Sequence, residues 1–508
     1  MKTFIQIFLF PYIFLFGVHA SAQKRKNDLK LSITIADKTV DTIRLNYYPP
    51  YGSYSQPEQI IDCRIKDGKF DFDLKNIAQT GYFQLTFHTS GGYFGMLEQH
   101  SDAEMISAMF LAEAGDDIKM DIGELGVTFS GKGAEKYNCI VKVLQERAQL
   151  RKSWPKKEKR DDLVTETRTE QRMIKENSLK ILETYKSKLS PLSYAILKLD
   201  YQVIEIHGII NTLSTAWHRN EYVDYVLKNQ AYFSLKPESP LIADRSMSYV
   251  DFLFTKEQAL AWKKFNADQP GAALSKEKFI KFIADKYEVG ALRDKLLSMA
   301  LLDADAGYGK MLKQTLSLIH TKSYKDYLVK NDLLIGKGNS FFDFHLQDTL
   351  GRTVNLKDLR GKVVVVDFFF TGCTGCVFLT KAMTSVIDEF KDNPEVVFVS
   401  IDVDKKKEMF LAATKNRKYT HAEAINLYTN GQGEEHELIK YYGFQGYPQL
   451  FLLDKKGNIL FGNPPRPGLD QSFEPTKKGS TGEFIKIIKD YLAANPSAKP
   501  APIKMSKN

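Results

Sequence analysis

At 508 residues, with 43% hydrophobic and 26% charged side chains, the chain has an ordinary globular composition and room for about three domains. Lys and Arg number 71 against 62 Asp and Glu, and the resulting +9 is mild over this length. With no zinc-finger, RNP-like or dense Lys/Arg-aromatic motif beside it, that charge does not argue for a nucleic-acid partner.

Residues 1–22 read as a secretory signal peptide. Lys2 supplies a charged start, Phe4 to Val18 an apolar stretch interrupted by Pro11, and Ala20-Ser21-Ala22 an A-x-A cleavage signature. About 15 apolar residues is short for a membrane span, so the expectation is export with no integral anchor after signal removal. No cysteine follows the stretch to carry a lipid, and no other segment reads as transmembrane. The compartment expected is the periplasm or cell envelope, where disulfides persist.

Residues 28–138 read as an all-β, sandwich-like or small-barrel domain. Leu29–Ile35, Thr42–Tyr48, Phe70–Leu74, Tyr82–His88, Met105–Leu111 and Ile118–Ile122 are β-branched or aromatic runs separated by Gly, Asp, Asn and Pro. The GKGAEK stretch at 131–136 lacks Walker spacing and is not a phosphate loop. Residues 139–335 read as a charged α-helical region, with candidates at Val141–Arg151, Leu163–Leu189, Pro191–His207, Lys276–Val289 and Leu312–Val329. The basic run Lys152–Arg160 reads as a solvated loop or helix start, and Trp154, Trp217 and Trp262 as packing anchors. Gly336 to Ser340 reads as a hinge into the last domain, 336–495.

In that domain, Val363 to Phe370 is a short β-branched and aromatic run, read as a strand buried on both faces. Thr371-Gly372 breaks it, and two cysteines follow with two residues between them. From Cys376 the chain reads as a helix with Val377, Met383, Ile387 and Phe390 on its apolar side. Cys373 therefore falls at or near the first turn, where free N–H groups and the helix dipole stabilise a thiolate. Cys376 lies close enough to close a disulfide with it. Such a pair suits dithiol–disulfide exchange, with Cys373 attacking a partner disulfide and Cys376 resolving the mixed intermediate.

Other uses of the pair fare worse. A structural zinc site needs two more ligands; Cys63 and Cys139 lie hundreds of residues upstream and His421 and His436 are not spaced as HxxxH. Attachment of c-type haem needs His where Val377 stands. Neither a metal nor a cofactor is expected. Asp367, six residues before Cys373, is costly inside a strand if ionised. It is either a buried carboxylate of raised pKa that takes the Cys376 proton, or an acid that meets solvent at the strand's end.

From Gly336 to about Leu492 the chain resembles the thioredoxin fold, specifically the TlpA-like (redoxin, AhpC/TSA-related) thiol-disulfide oxidoreductases of bacterial cell envelopes. The lead-in FFDFHLQDTLGRTVNLKDLRGKVVVVDFFF, with turns at Asp348–Gly351 and Gly361-Lys362, carries the likeness. The resemblance gives Asp367, Cys373 and Cys376 the roles of buried acid, nucleophile and resolving thiol. It makes Gly446-Tyr447-Pro448 the cis-proline loop, with Tyr447 and Pro448 facing substrate. Gly372 stands where the family usually carries Trp, and Thr374-Gly375 replaces the commoner inter-cysteine pairs. Residues 112–138 resemble the amino-terminal β-domain that precedes TlpA-like domains in Bacteroidetes-type proteins.

Further elements are expected at Val396–Ile401 (strand), Glu408–Arg417 and Glu434–Tyr442 (helices), and Gln449–Leu453 and Asn458–Phe461 (strands). Pro464 to Gly468 reads as a stiff surface loop, Ile485, Ile488 and Leu492 as a final helix, and 496–508 as a disordered tail. Cys63 and Cys139 form either a second bridge or two separate buried thiols.

The resemblance implies an exported enzyme exchanging disulfides with protein thiol/disulfide substrates, apocytochromes awaiting haem among them, and fed by a membrane or periplasmic electron donor. Two competitors come from other classes. A peroxiredoxin-like thiol peroxidase needs PxxxTxxC, but Val366 and Phe370 hold the Pro and Thr positions. A non-catalytic cell-envelope binding protein would work through its β-domain and ignore the cysteines.

Overall fold

The computed structural model describes residues 28–50, 59–89, 108–123, 126–154, 163–216, 219–266, 274–302, 308–444, 446–470 and 472–496. The signal segment 1–22, Trp217, residues 155–160 of the basic run, 105–107 and the tail from 497 lie outside them.

Two four-stranded sheets occupy the N-terminal part. One runs β4 (Lys69–Leu74), β1 (Leu29–Ile35), β7 (Asp117–Gly123), β8 (Gly126–Lys132). The other runs β3 (Gln59–Arg64), β2 (Val40–Tyr48), β5 (Thr80–Thr89), β6 (Phe110–Glu113). In β4 and β7 every second side chain is buried, and these join Leu31, Ile33, Phe83 and Phe110 in one core. Helix α1 (Ala134–Ser153) closes that core with Tyr137 and Cys139. Its first turn is tied down by Asp116, which accepts hydrogen bonds from Lys136 Nζ and Tyr137 Oη, both 2.6 Å. Burial without a charge partner would be costly for either ion; paired, they fix the sheet-to-helix corner.

The helical region contains α2 (Leu163–Tyr185), α3 (Pro191–Gln202), α4 (Ile204–Ala216), α5 (Arg219–Lys228), α6 (Pro240–Arg245) and α7 (Met247–Asn266). It continues with α8 (Lys276–Lys286), α9 (Ala291–Leu302), α10 (Tyr308–Leu318) and α11 (Lys322–Ile335). Ser190 and Ser239 cap α3 and α6, each followed by Pro at the first helical position. The single helix expected over Leu312–Val329 is broken. The Asp294 carboxylate accepts the backbone N–H of His320 (3.0 Å) and Thr321 (2.7 Å), a tertiary cap that starts a new helix there. The run Pro191–His207 likewise splits at Val203. Trp262 is buried against Val223 and Ala259.

The last part is a seven-stranded sheet in the order β10 (Thr353–Asn355), β9 (His345–Asp348), β13 (Ala424–Tyr428), β12 (Val396–Asp402), β11 (Val363–Phe369), β14 (Gln449–Leu453), β15 (Ile459–Phe461). β11 pairs parallel with β12 and antiparallel with β14, and helices α12 (Thr374–Phe390), α13 (Lys407–Asn416), α14 (Glu437–Tyr442) and α15 (Gly479–Ala494) complete a thioredoxin-like domain. Val363 and Val365 pack on α12 and α15, while Val364, Val366 and Phe368 fill the opposite core, so both faces of β11 are covered.

Two expectations about connecting segments are corrected. Gly336 to Ser340 is held rather than free: Gly338 N–H donates to Ile459 O (2.8 Å) and Ile459 N–H to Asn339 O (2.8 Å), adding the segment to the β15 edge. Pro464, Pro465 and Pro467 are buried, not on a surface loop, because that segment folds back under the proline turn described below.

Candidate functional site

The parallel pairing of β11 with β12 brings their C-terminal ends level, with Phe369 opposite Asp402. β11 stops because Gly372 adopts a φ of +102°, a conformation an L side chain resists, so the turn itself requires glycine there. Cys373 follows as the N-cap of α12, whose first residue, Thr374, comes two residues before the expected start. Its Sγ accepts the N–H of Cys376 at 3.0 Å, in the position where free amides and the helix dipole favour negative charge. Cys373 and Cys376 are bonded, with Cα atoms 5.2 Å apart. Cys373 is 5% and Cys376 2% exposed, while Gly372, Thr374 and Gly375 around them are exposed.

The Tyr447–Pro448 bond is cis and the loop lies against the disulfide helix. A Cβ built on Gly375 would sit 3.1 Å from Pro448 Cδ and 3.5 Å from Tyr447 O, so glycine permits the close approach. Tyr447 packs with Phe370 on the cluster that contains both cysteines, and the rings of Tyr447 and Phe370 meet edge-on at 5.7 Å. The Tyr447 hydroxyl is buried and finds no hydrogen-bond partner among the described residues.

Asp367 lies between Val365 and Phe369 in the alternation of β11, and therefore on the face covered by α12. The Ser400 hydroxyl donates to its carboxylate at 2.6 Å. Burial pushes its pKa up to about 7, against the opposing effect of Ser400. The strand thus carries an acid half-ionised near neutrality, beneath the helix that bears Cys376.

Four neighbours escaped the sequence reading. Asp404 accepts the backbone N–H of Thr371 (3.1 Å), and Tyr419 Oη accepts that of Gly372 (3.0 Å), so the turn before Cys373 is clamped from two sides. Asp402 accepts the Asp404 N–H at 2.6 Å; burial and then the Asp404 charge push its pKa up. Arg466, from the buried proline segment, donates to Pro448 O at 3.1 Å. The one signal available was the acid pair itself, at the end of an apolar strand in S-I-D-V-D.

The remaining cysteines are free: Cys63 half-buried with its thiol directed at the Asp71 carbonyl (3.5 Å), Cys139 buried with its pKa pushed up to about 12. Cys139 is thereby a poor nucleophile. His421 contacts Thr380 O and His436 caps α14.

Residues 337–461 match the AhpC/TSA family. The chain is 29% identical over 140 residues to the thiol-disulfide oxidoreductase ResA of Bacillus thuringiensis subsp. konkukian, covering 27% of this chain and 74% of that protein. It is 28% identical over 130 residues to the thioredoxin-like protein YneN of Bacillus subtilis, covering 26% and 72%. Among solved structures, the thioredoxin domain of a thiol-disulfide oxidoreductase from Bacteroides vulgatus is similar over 25% of this chain and 86% of its own, at 25% identity and a TM-score of 0.22. The thiol-disulfide oxidoreductase homologues and the thioredoxin-like fold support an oxidoreductase activity for the chain. Among the described residues no helix is long and apolar enough to cross a membrane.

Proposed function

We propose that the chain is a TlpA-like thiol-disulfide oxidoreductase, exported to the cell envelope, that exchanges disulfides with protein clients through Cys373 and Cys376. The observation that carries this reading is the disulfide at the N-cap of α12, against the cis-Pro448 loop and above Asp367.

In the reduced protein the Cys373 thiolate attacks one sulfur of a client disulfide. A Cys373–client bond forms, the client S–S bond breaks, and the other client sulfur leaves as a thiolate. The Cys376 thiol then gives its proton to Asp367 and attacks Cys373 Sγ, releasing the second client thiolate and closing the 373–376 disulfide. Two electrons have passed to the client, and a donor dithiol in the envelope restores the pair. Backbone groups of Tyr447 and Pro448 hold the client segment extended across the site. Apocytochromes awaiting haem are a client class that this chemistry serves.

Cys376→Ser leaves the mixed disulfide unresolved. The variant, expressed in the envelope, should accumulate client proteins bound through Cys373 and released by reductant, whereas Cys373→Ser should hold none. Absence of such adducts in Cys376→Ser would overturn the exchange reading.

A further inference from the structure

The β-domain does not stand apart from the redox domain. Arg44 on β2 pairs with Asp62 on β3 (2.7 and 2.9 Å) and reaches across to Glu434, with Glu435 3.6 Å away. Beside this junction lies a cleft of about 620 Å³ with walls from both domains. Ile60 and Arg64 of β3 face Val403, Ile439 and Phe444 of the redox domain across it. The cleft wall abuts the active site: the Phe444 ring lies 6.3 Å from that of Tyr447, which packs on the cysteine cluster.

The cleft carries more cations than carboxylates. Arg64 and Lys405 on the cleft and Lys407 in the depression beside it are exposed, and none meets a carboxylate among the described residues. Lys405 also lines an adjoining depression with Lys406, Lys407, Glu408 and Tyr428, where three lysines outweigh one carboxylate, so the net basic rim continues past the cleft mouth. The carboxylates of the cleft are engaged already: Asp62 and Glu434 with Arg44, and Glu435 with Lys440 at 2.6 Å. The N-terminus of α13 begins at Lys407 and adds its partial positive charge to the same rim. What remains to be neutralised is cationic, over an apolar floor.

We propose that this interdomain cleft docks an extended segment of the client protein that carries acidic residues beside its cysteine, and that the β-domain serves the enzyme by forming one wall of that groove. The inference rests on the exchange reading above. Apolar side chains of the segment sit on Ile60, Ile439 and Phe444; its carboxylates meet Arg64, Lys405 and Lys407; the chain then passes Tyr447-Pro448 and presents its sulfur to Cys373. Complementary charge acts mainly on the association rate and is weakened by salt.

The test uses the reduced full-length protein and two synthetic peptides, each with one cysteine disulfide-linked to a chromogenic thiol. One carries Asp and Glu to one side of the cysteine, the other Lys at the same places. The rate constant for each is divided by that for a small neutral disulfide measured on the same protein, which removes changes in cysteine reactivity. The acidic peptide should react about tenfold or more faster than the basic one at low salt, with the advantage shrinking as salt is added. The triple variant Arg64→Glu, Lys405→Glu, Lys407→Glu should invert the preference; circular dichroism verifies that it is folded. Equal rates for the two peptides, or a preference that survives the triple reversal, overturn the docking proposal while leaving exchange intact. A protein that reduces neither the peptides nor the small disulfide overturns the exchange reading, and this one with it.

Discussion

Replacing Asp367 by Asn separates what the buried acid costs from what it does. Its pKa is raised from 3.8 to about 7 by burial, so the folded protein keeps a proton that the unfolded chain releases from about pH 4 upward. The stability associated with the neutral form is complete below pH 4 and is lost as pH rises to about 7. Above that the deficit levels off on the order of 4 kcal/mol. Asn keeps the shape and an oxygen for the Ser400 hydroxyl, but has no charge to desolvate. The two proteins should match at pH 4, and the variant should be the more stable at pH 8 by up to that amount.

Tryptophan fluorescence will not report the change, because all three tryptophans precede residue 263. Hydrogen exchange of peptides spanning 363–370, corrected for the intrinsic rate at each pH, reads the opening of β11 directly. The same substitution removes the acceptor for the Cys376 proton. Resolution of a preformed mixed disulfide should slow on the order of 100-fold at pH 7 and lose its pH dependence near that value. A stability difference that is the same at pH 4 and pH 8 refutes the burial reasoning. An unchanged resolution rate and profile refutes the catalytic role.

Asp402→Asn should behave in the same sense. Burial and the neighbouring Asp404 charge raise the pKa of Asp402, so the wild type loses stability as pH rises above about 4, and the variant should show a flatter thermal midpoint between about pH 5 and pH 9. Arg44→Met leaves Asp62 and Glu434 facing each other without their cation; the interface should weaken by about 3–5 kcal/mol, seen as faster hydrogen exchange in β2 and α14. Gly375→Ala sets a gain of up to about 1 kcal/mol in helix propensity against a Cβ 3.1 Å from Pro448. Since Arg466 holds Pro448 O, the loop should shift by a few tenths of an ångström and client exchange should slow several-fold in a stopped-flow assay.

Much of this architecture was legible from local pattern. β1 and β14 have the residue bounds expected of them, since a clean run of apolar or alternating side chains sets both ends. β3 and β8 were not seen: QIIDCR is half-buried up to the exposed Arg64 and shows no alternation, and GVTFSGK is diluted by glycine and serine. The break between α10 and α11 depends on Asp294, a residue far back in the chain, and no local rule could supply it. At the site, Cys373 and Cys376 declare themselves by spacing alone. Asp404, Tyr419 and Arg466 reach the same place from three separate segments, and only the sheet order makes them neighbours.

The low exposure of the sulfurs is consistent with the proposed exchange once the direction of approach is considered. A third sulfur must come in line with the 373–376 bond, and one sulfur only has to be reached. Cys376 lies beneath the first turn of α12, whereas Cys373 is bordered by Gly372 and Gly375, which present no side chain to an incoming group. Both glycines are demanded by geometry, one by its φ of +102° and the other by the approach of Pro448. On this reading the order of events, Cys373 first and Cys376 second, follows from their places on α12: Cys373 is the N-cap beside exposed glycines, and Cys376 lies inside the first turn, over the strand face that carries Asp367.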